Sequence, residues 1–431
     1  MFSCSHAPMY TLETLHNKTK LLLAPLEGTE TVTVLILVKV GSRYESAKLN
    51  GISHFVEHLL FKGTKKRPTS LDITKELDGV GASFNAFTAK DHTGYYIKVN
   101  HEHLELALDV VSDMLHNSLF AKEEMERERG VIIEEINMYE DNPLLMVDNV
   151  FEEAVFAGSS LARVISGSKE NIRKISHAEI VNYFKANYAA DNVIVAVGGK
   201  FNQPKTKKLA SQYFNQPASG FKKSSFKKFS SLQKSPRINL KTKATEQVHL
   251  ALGFPAYKIT NPKNYPLLLL AIILGGNMSS RLFLEIREKL GLAYYIKTDL
   301  SPYQDTGALA VYAGLDKSKI NLAIKTILKE LEKAVNKDVT AEELKRSKEY
   351  IKGKLILGLE DSAARIQWLA AQQLLKNKIE TIDQQLKKVE KVTAGQVRQT
   401  AQEIIKNQKI NLGIIGPYQD KKKFLKILKN H

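Results

Sequence analysis

The stretch Gly51 to Thr64, GISHFVEHLLFKGT, holds three side chains whose types and spacing suit hydrolytic chemistry: His54, Glu57 and His58. His54 and His58 are four residues apart, which at about 3.6 residues per turn brings them nearly into line on one face of a helix. A single Zn²⁺ can bridge such a pair. Glu57 stands one residue before the second histidine, so its carboxylate projects beside the ligand face. A zinc ion lowers the pKa of water it holds to about 7, and a carboxylate at that place can take the proton as the water attacks a carbonyl. The order HxxEH, the reverse of the commoner HExxH, is one of the metallopeptidase signatures.

A helix must present these groups, and a second element must complete the ligand set. Ile52, Phe55, Val56, Leu59, Leu60 and Phe61 supply the apolar residues of a largely buried helix, with Ser53 or Asn50 placed to cap its start. Three ionisable side chains in such a helix need a compensating partner, and a metal provides one. Cys4 is the only cysteine, so neither a disulfide nor a cysteine-based zinc site is available, and a lone thiol near the chain end does not read as a nucleophile. A carboxylate must therefore supply the third ligand. In the expected helix Ala121 to Glu140, AKEEMERERGVIIEEINMYE, Glu128 and Glu135 share a stripe with Glu124, Val131 and Ile132, whereas Glu134 is turned about 100° away beside Arg127 and Gly130. Glu135 with Glu128 behind it is the expected choice, and Glu134 is its competitor. His101 and His103 read as surface residues, not a second metal site.

The remaining chain supplies the scaffold. Its 431 residues allow two to four domains with substantial cores. No apolar run approaches the roughly 18 residues needed to cross a bilayer. The start, MFSCSHAPMYTLETLHNKTK, lacks a basic stretch followed by an apolar one, and no arginine precedes Arg43, so a cytoplasmic location without membrane attachment is expected. The net charge of +17 invites a nucleic-acid reading. Its excess, however, is lysine spread over predicted helix faces and both chain ends with no binding motif around it, so a solvated basic surface is expected and nucleic acid is not a partner.

Thr31 to Glu45, TVTVLILVKVGSRYE, opens with a near-continuous β-branched run that fits a buried central strand. LDITKELDGVG reads as a short helix stopped by Gly79 and Gly81, not as a dinucleotide fingerprint. Ala82 to Ala89 and His92 to Asn100 read as two strands joined through Lys90-Asp91, a candidate edge on which an extended peptide could lie. Two further helices lead to the strand DNVIVAVGG, Asp191 to Gly199. The segment 216–237, rich in Ser, Lys and isolated Phe, reads as a linker between domains 1–215 and 238–431. The second half repeats the plan: VHLALGFPA answers the early strand, YPLLLLAIILGG lies where the HxxEH helix lay, TGALAVYAG answers TGYYIKVNH, and AEELKRSKEYIKGKLILGLE answers the glutamate-bearing helix. It has lost the chemistry, so a duplicated α/β domain with one working metal site is expected.

HFVEH followed after 76 residues by Glu135, with VGSRYE before it, FNAFT between and GGNMSSRLFLEIREKLGLAY at 275–294, resembles the pitrilysin and insulinase family of zinc peptidases. In particular it is similar to the short, two-domain chains related to mitochondrial processing peptidase. The resemblance implies His54, His58 and Glu135 as ligands of one Zn²⁺ per chain, Glu57 as general base and Glu128 as a supporting carboxylate of the catalytic set. It implies Arg287 and Tyr294 as residues that hold substrate, and Asn85 and Ala86 as the edge that pairs with substrate backbone. The implied fold class is α+β: two similar domains, each a mixed β-sheet packed with helices, forming half of a clamshell around a chamber. A second chain completes it, as a homodimer or a heterodimer. The implied function is zinc-dependent endopeptidase action on peptides or unfolded segments. The alternatives are a noncatalytic assembly or binding subunit, or the catalytic subunit of a heterodimeric peptidase.

Overall fold

In the apolar run Thr31–Val38 every residue but the first is buried, which requires cover on both faces of the sheet that contains it. The computed structural model shows how that cover is arranged. It describes residues 9–215, 223–406 and 409–429; Cys4 and the first residues of the expected linker, 216–222, lie outside them. The first sheet comprises β1 (Thr11–Thr14), β2 (Lys20–Pro25), β3 (Thr31–Val38), β4 (Ser83–Thr88), β5 (Thr93–Asn100) and β6 (Val193–Gly199) in the order β1-β2-β6-β3-β5-β4. The second comprises β7 (Arg237–Thr242), β8 (Gln247–Ala256), β9 (Ala293–Pro302), β10 (Gly307–Asp316) and β11 (Asn411–Gly416) in the order β7-β11-β8-β10-β9.

Without β1, the two orders correspond strand for strand, and each contains one parallel pair at the same place, β2 with β6 and β7 with β11. The other pairings are antiparallel. The internal repeat and the α+β class expected from the sequence are thus present. The helices of the first half are α1 (Ile52–Leu59), α2 (Ser70–Asp78), α3 (Leu104–Asn117), α4 (Lys122–Asp141), α5 (Pro143–Val155), α6 (Lys169–Lys174), α7 (His177–Asn187) and α8 (Gln203–Tyr213). Those of the second are α9 (Asn264–Gly275), α10 (Ile320–Asn336), α11 (Ala341–Gly358), α12 (Ser362–Lys376), α13 (Ile382–Glu390), α14 (Ala394–Ile404) and α15 (Lys422–Lys429). Three helices, not the expected two, lie between Pro143 and β6. The described part of the expected linker, 223–236, forms neither helix nor strand, and Arg237 already belongs to β7.

The chain forms two compact units, and their boundaries differ from contiguous halves split at a linker. One holds the chain as far as Ile136, with Val164–Phe226 and Ile356–Thr381; the other holds Asn137–Arg163, Lys227–Leu355 and the chain from Ile382. Each sheet has therefore taken one covering helix from the opposite half of the sequence. In the first unit α12 packs on β3 and β6, where Ile366, Leu369 and Leu374 cover Leu22, Leu35, Leu37 and Ile194. Its N-terminus is fastened there by the Ser362 hydroxyl, 2.9 Å from that of Thr33 in β3. In the second unit α5 packs on β7, β8 and β11, with Val147, Phe151 and Val155 against Ala251, Ala310, Tyr312 and Ile415. Gly413 permits that approach, since a Cβ there would stand 2.7 Å from the backbone nitrogen of Phe151. An outer sheet face of aliphatic side chains has to be buried, at roughly 25 cal/mol per Å² of apolar area, and these two helices do it.

Candidate metal centre

The helix that carries HxxEH begins in a way the sequence did not disclose. Neither Ser53 nor Asn50 caps it. Gly51 precedes it with φ of +104°, and no side chain of that residue can cap. The carboxylate of Glu45 reaches in from upstream, accepting the backbone N–H of Gly51 at 2.8 Å, that of Ser53 at 2.8 Å and the Asn50 side-chain amide at 2.9 Å. A carboxylate at this end satisfies otherwise orphaned donors and meets the positive end of the helix dipole. Burial pushes the Glu45 carboxyl upward, with the hydrogen bonds from Asn50, Ser53 and Gly51 opposing it. The Ser53 hydroxyl instead pairs with that of Tyr183 at 2.8 Å. Ile52, Phe55, Val56 and Leu59 are buried and pin the inner face of α1, as its periodicity requires.

On the other face three donor atoms converge. His54 Nε2 lies 3.3 Å from His58 Nε2, and Glu135 Oε2 lies 3.4 Å from each of them. Ligands at about 2.0–2.1 Å around a tetrahedral Zn²⁺ are themselves about 3.3–3.4 Å apart, so the triangle has the size and the N, N, O composition that zinc takes. Among the described residues this is the one cluster of three or more such groups able to hold a metal. The stripe on α4 explains the choice of carboxylate. Met125, Glu128, Ile132 and Ile136 are buried and Glu135 half-buried, while Arg127, Gly130 and Glu134 lie together on the exposed face. Val131, expected on the stripe, is exposed instead.

Behind the triangle, Glu128 Oε2 lies 2.9 Å from His58 Nδ1, and its Oε1 lies 2.8 Å from the ammonium of Lys62. A carboxylate on the remote nitrogen of a ligand histidine fixes the ring and directs the other nitrogen inward. Burial, then the neighbouring His58, pushes His54 down to about 4, which leaves its ring neutral and able to ligate at neutral pH. Burial also opposes the charge on His58, yet Glu128 and Glu135 outweigh it and hold this ring at about 9, so a bound metal must displace its proton. Hydrogen bonding from His58 keeps Glu135 below the usual carboxylate range. Glu57 is different: burial pushes its carboxyl up, and the hydrogen bond from Thr88 Oγ1, 2.5 Å away, pulls the other way.

The remaining candidates are dispersed. Asn85 and Ala86 lie on β4, which among the described residues is an edge strand paired with β5 alone, and the Asn85 side-chain oxygen accepts the Ala86 N–H at 2.8 Å. Arg287 lies in the second unit, in a π-helical turn Phe283–Lys289, with its guanidinium 4.8 Å from the centre of the Phe283 ring. Tyr294 stands nearby at the start of β9 and is 74% exposed. His101 pairs with Glu30 at 3.2 Å on the surface. Sequence reasoning missed Glu45, Lys62 and Thr88. VGSRYE and FNAFT were recognisable as motifs, but neither spacing nor residue type reveals a contact made across loops.

The profile of the insulinase family, peptidase family M16, matches residues 20–169, and that of the peptidase M16 inactive domain matches residues 174–351. An uncharacterized zinc protease of Streptomyces coelicolor is 34% identical over 420 residues, covering 95% of this chain and 90% of that protein. One from Bacillus subtilis is 33% identical over 408 residues, covering 94% and 97%. Among solved structures, a protease from Helicobacter pylori has the same fold with a TM-score of 0.87 at 24% identity, covering 95% of this chain and 99% of that one. So does a chain in complex III2 from Candida albicans, with a TM-score of 0.81 at 17% identity, covering 97% and 99%. With most of its length matched and such relatives aligned nearly end to end, this chain belongs to the insulinase family, peptidase family M16.

Proposed function

We propose that this protein is a zinc endopeptidase in which His54, His58 and Glu135 hold one Zn²⁺ and Glu57 is the general base. One observation carries the reading: two ring nitrogens from the helix that also bears Glu57, and a carboxylate oxygen from α4, lie within 3.4 Å of one another. Bound there, the ion would supply a Lewis acid that polarises a carbonyl and acidifies water. The protein's own groups do the rest. Glu57 takes the proton of the attacking water on a carboxylate oxygen and returns it to the leaving amine. Glu128 is a positioning residue that holds the His58 ring, with Lys62 balancing its charge.

The edge of β4 at Asn85 and Ala86, unpaired among the described residues, suits an extended peptide that adds as a further strand. Arg287 and Tyr294 are assigned to holding substrate. As in the processing-peptidase branch it resembles, two chains, a homodimer or a heterodimer, would enclose a chamber that admits peptides and unfolded segments. The relatives named as zinc proteases support the peptide bond as target. A noncatalytic subunit is the second reading, since the same fold occurs in a chain of complex III2. The complete donor set and base favour the peptidase. The test is to purify the protein, measure its zinc, and follow a quenched-fluorescence peptide library before chelation, after it and on reloading. About one zinc per chain is expected, with cleavage lost on chelation and restored by Zn²⁺. Cleavage that survives full removal of the metal, or none from a fully loaded dimer, would overturn the reading.

A further inference from the structure

We propose that Thr88 is a positioning residue for Glu57, fixing the general base from the same edge strand on which a peptide would dock. The inference rests on the assignment of Glu57 above and adds a residue to it. Glu57 is a long side chain with several rotamers, and among the described residues its carboxylate makes one hydrogen bond, with Thr88. A base that must meet a single water molecule gains little from proximity if it swings between rotamers. Thr88 is well suited to restrain it, because a β-branched side chain has few χ1 options.

The strand end that carries this hydroxyl is itself held on several sides. Thr88 closes β4 opposite Thr93, whose own hydroxyl donates to the Val40 carbonyl at 2.9 Å. The turn that follows is tied to the loop before α1, with the N–H of Ser42 on the Ala89 carbonyl and that of Arg43 on the Lys90 carbonyl, both at 3.1 Å. The buried Arg43 guanidinium also grips Asp91 at 2.9 Å. That same loop supplies Glu45, the cap of α1. One rigid frame thus fixes both the helix bearing Glu57 and the hydroxyl that orients it. Side chains at alternate positions share a face of a strand. Phe84 and Ala86, on the face of Thr88, pack against the core that contains Phe55 and Val56 of α1. The backbone of Ala86 is at the same time part of the free edge. A peptide pairing with β4 is therefore registered against the base through two residues of one strand.

Thr88→Val keeps the volume and removes the donor, while Thr88→Ser keeps the donor. With zinc-loaded protein and a quenched peptide, Thr88→Val should lower kcat by about 10- to 100-fold, the usual loss for a hydrogen bond to a charged group, with KM within about twofold of wild type. Thr88→Ser should recover most of the loss. A crystal structure of Thr88→Val should show the Glu57 carboxylate in more than one rotamer. The proposal is overturned if Thr88→Val keeps wild-type kcat, if Thr88→Ser is no better than Thr88→Val, or if Glu57 keeps its single rotamer. Should Thr88→Val lose zinc, Thr88→Ala replaces it, and loss of zinc in both would make the residue structural and overturn the proposal. Glu57→Gln, measured alongside, separates the two assignments. If it is inactive while Thr88→Val is fully active, only the positioning role falls; if it remains active, the base assignment falls as well.

Discussion

Helices α1 and α9 follow equivalent strands, β3 and β8, yet they have been put to different uses. In α9 the run Pro266 to Gly275 is buried apart from Leu268, and every residue in it is uncharged. In α1 the same place in the fold carries two histidines and a glutamate, and burial acts on all three. The glutamate-bearing helices differ in the same way: α4 buries Glu128 and half-buries Glu135, whereas Ser347 is the one buried residue of α11. The starts of the helices differ too. The buried carboxylate of Glu45 accepts the N–H groups of Gly51 and Ser53 at the start of α1, while at α9 a neutral amide, that of Asn261, accepts the N–H of Lys263. The second domain shows that this architecture is satisfied by aliphatic filling. The polar residues of the first domain are therefore there for something other than folding, at a cost that the second copy does not bear.

That contrast can be broken from either side. The largest effect is expected at Glu57→Gln, which should lower kcat by about 10² to 10⁴ while zinc content and thermal stability stay near wild type, because the amide fills the space but cannot accept a proton. Near-normal turnover with zinc bound would remove the functional half of the contrast. On the other side, Leu270→Ala in α9 empties a fully buried site and should cost about 2–5 kcal/mol of stability, read by denaturant melts. Zinc per folded chain should not change. If the metal were lost while the protein remained folded, α9 would be serving the metal centre and the division of labour would fail.

Much of this was legible in the sequence, and the limits have physical causes. The i, i+4 spacing placed His54 and His58 on one face, and the seven-residue step brought Glu135 into line with Glu128, because helix geometry is local. The repeat was visible since both copies keep the alternation of buried strand, helix and hairpin. The exchange of α5 and α12 was not visible. Each is an amphipathic helix, and an apolar stripe indicates that a face must be covered without saying which sheet will cover it. Contacts such as Glu45 with Ser53, or Thr88 with Glu57, depend on how loops return in space, and no periodicity encodes that. Ser53 and Asn50 have the composition of caps, but a buried carboxylate from six residues before Gly51 outcompeted them.

The most direct test of the central claim is zinc content after extensive dialysis, measured by atomic emission on wild type, Glu135→Gln and Glu134→Gln. The geometry predicts about one zinc per chain in wild type and in Glu134→Gln, whose side chain lies on the exposed face of α4, and a large loss in Glu135→Gln, which removes one corner of the donor triangle. Equal loss in the two variants, or a greater loss in Glu134→Gln, would contradict it.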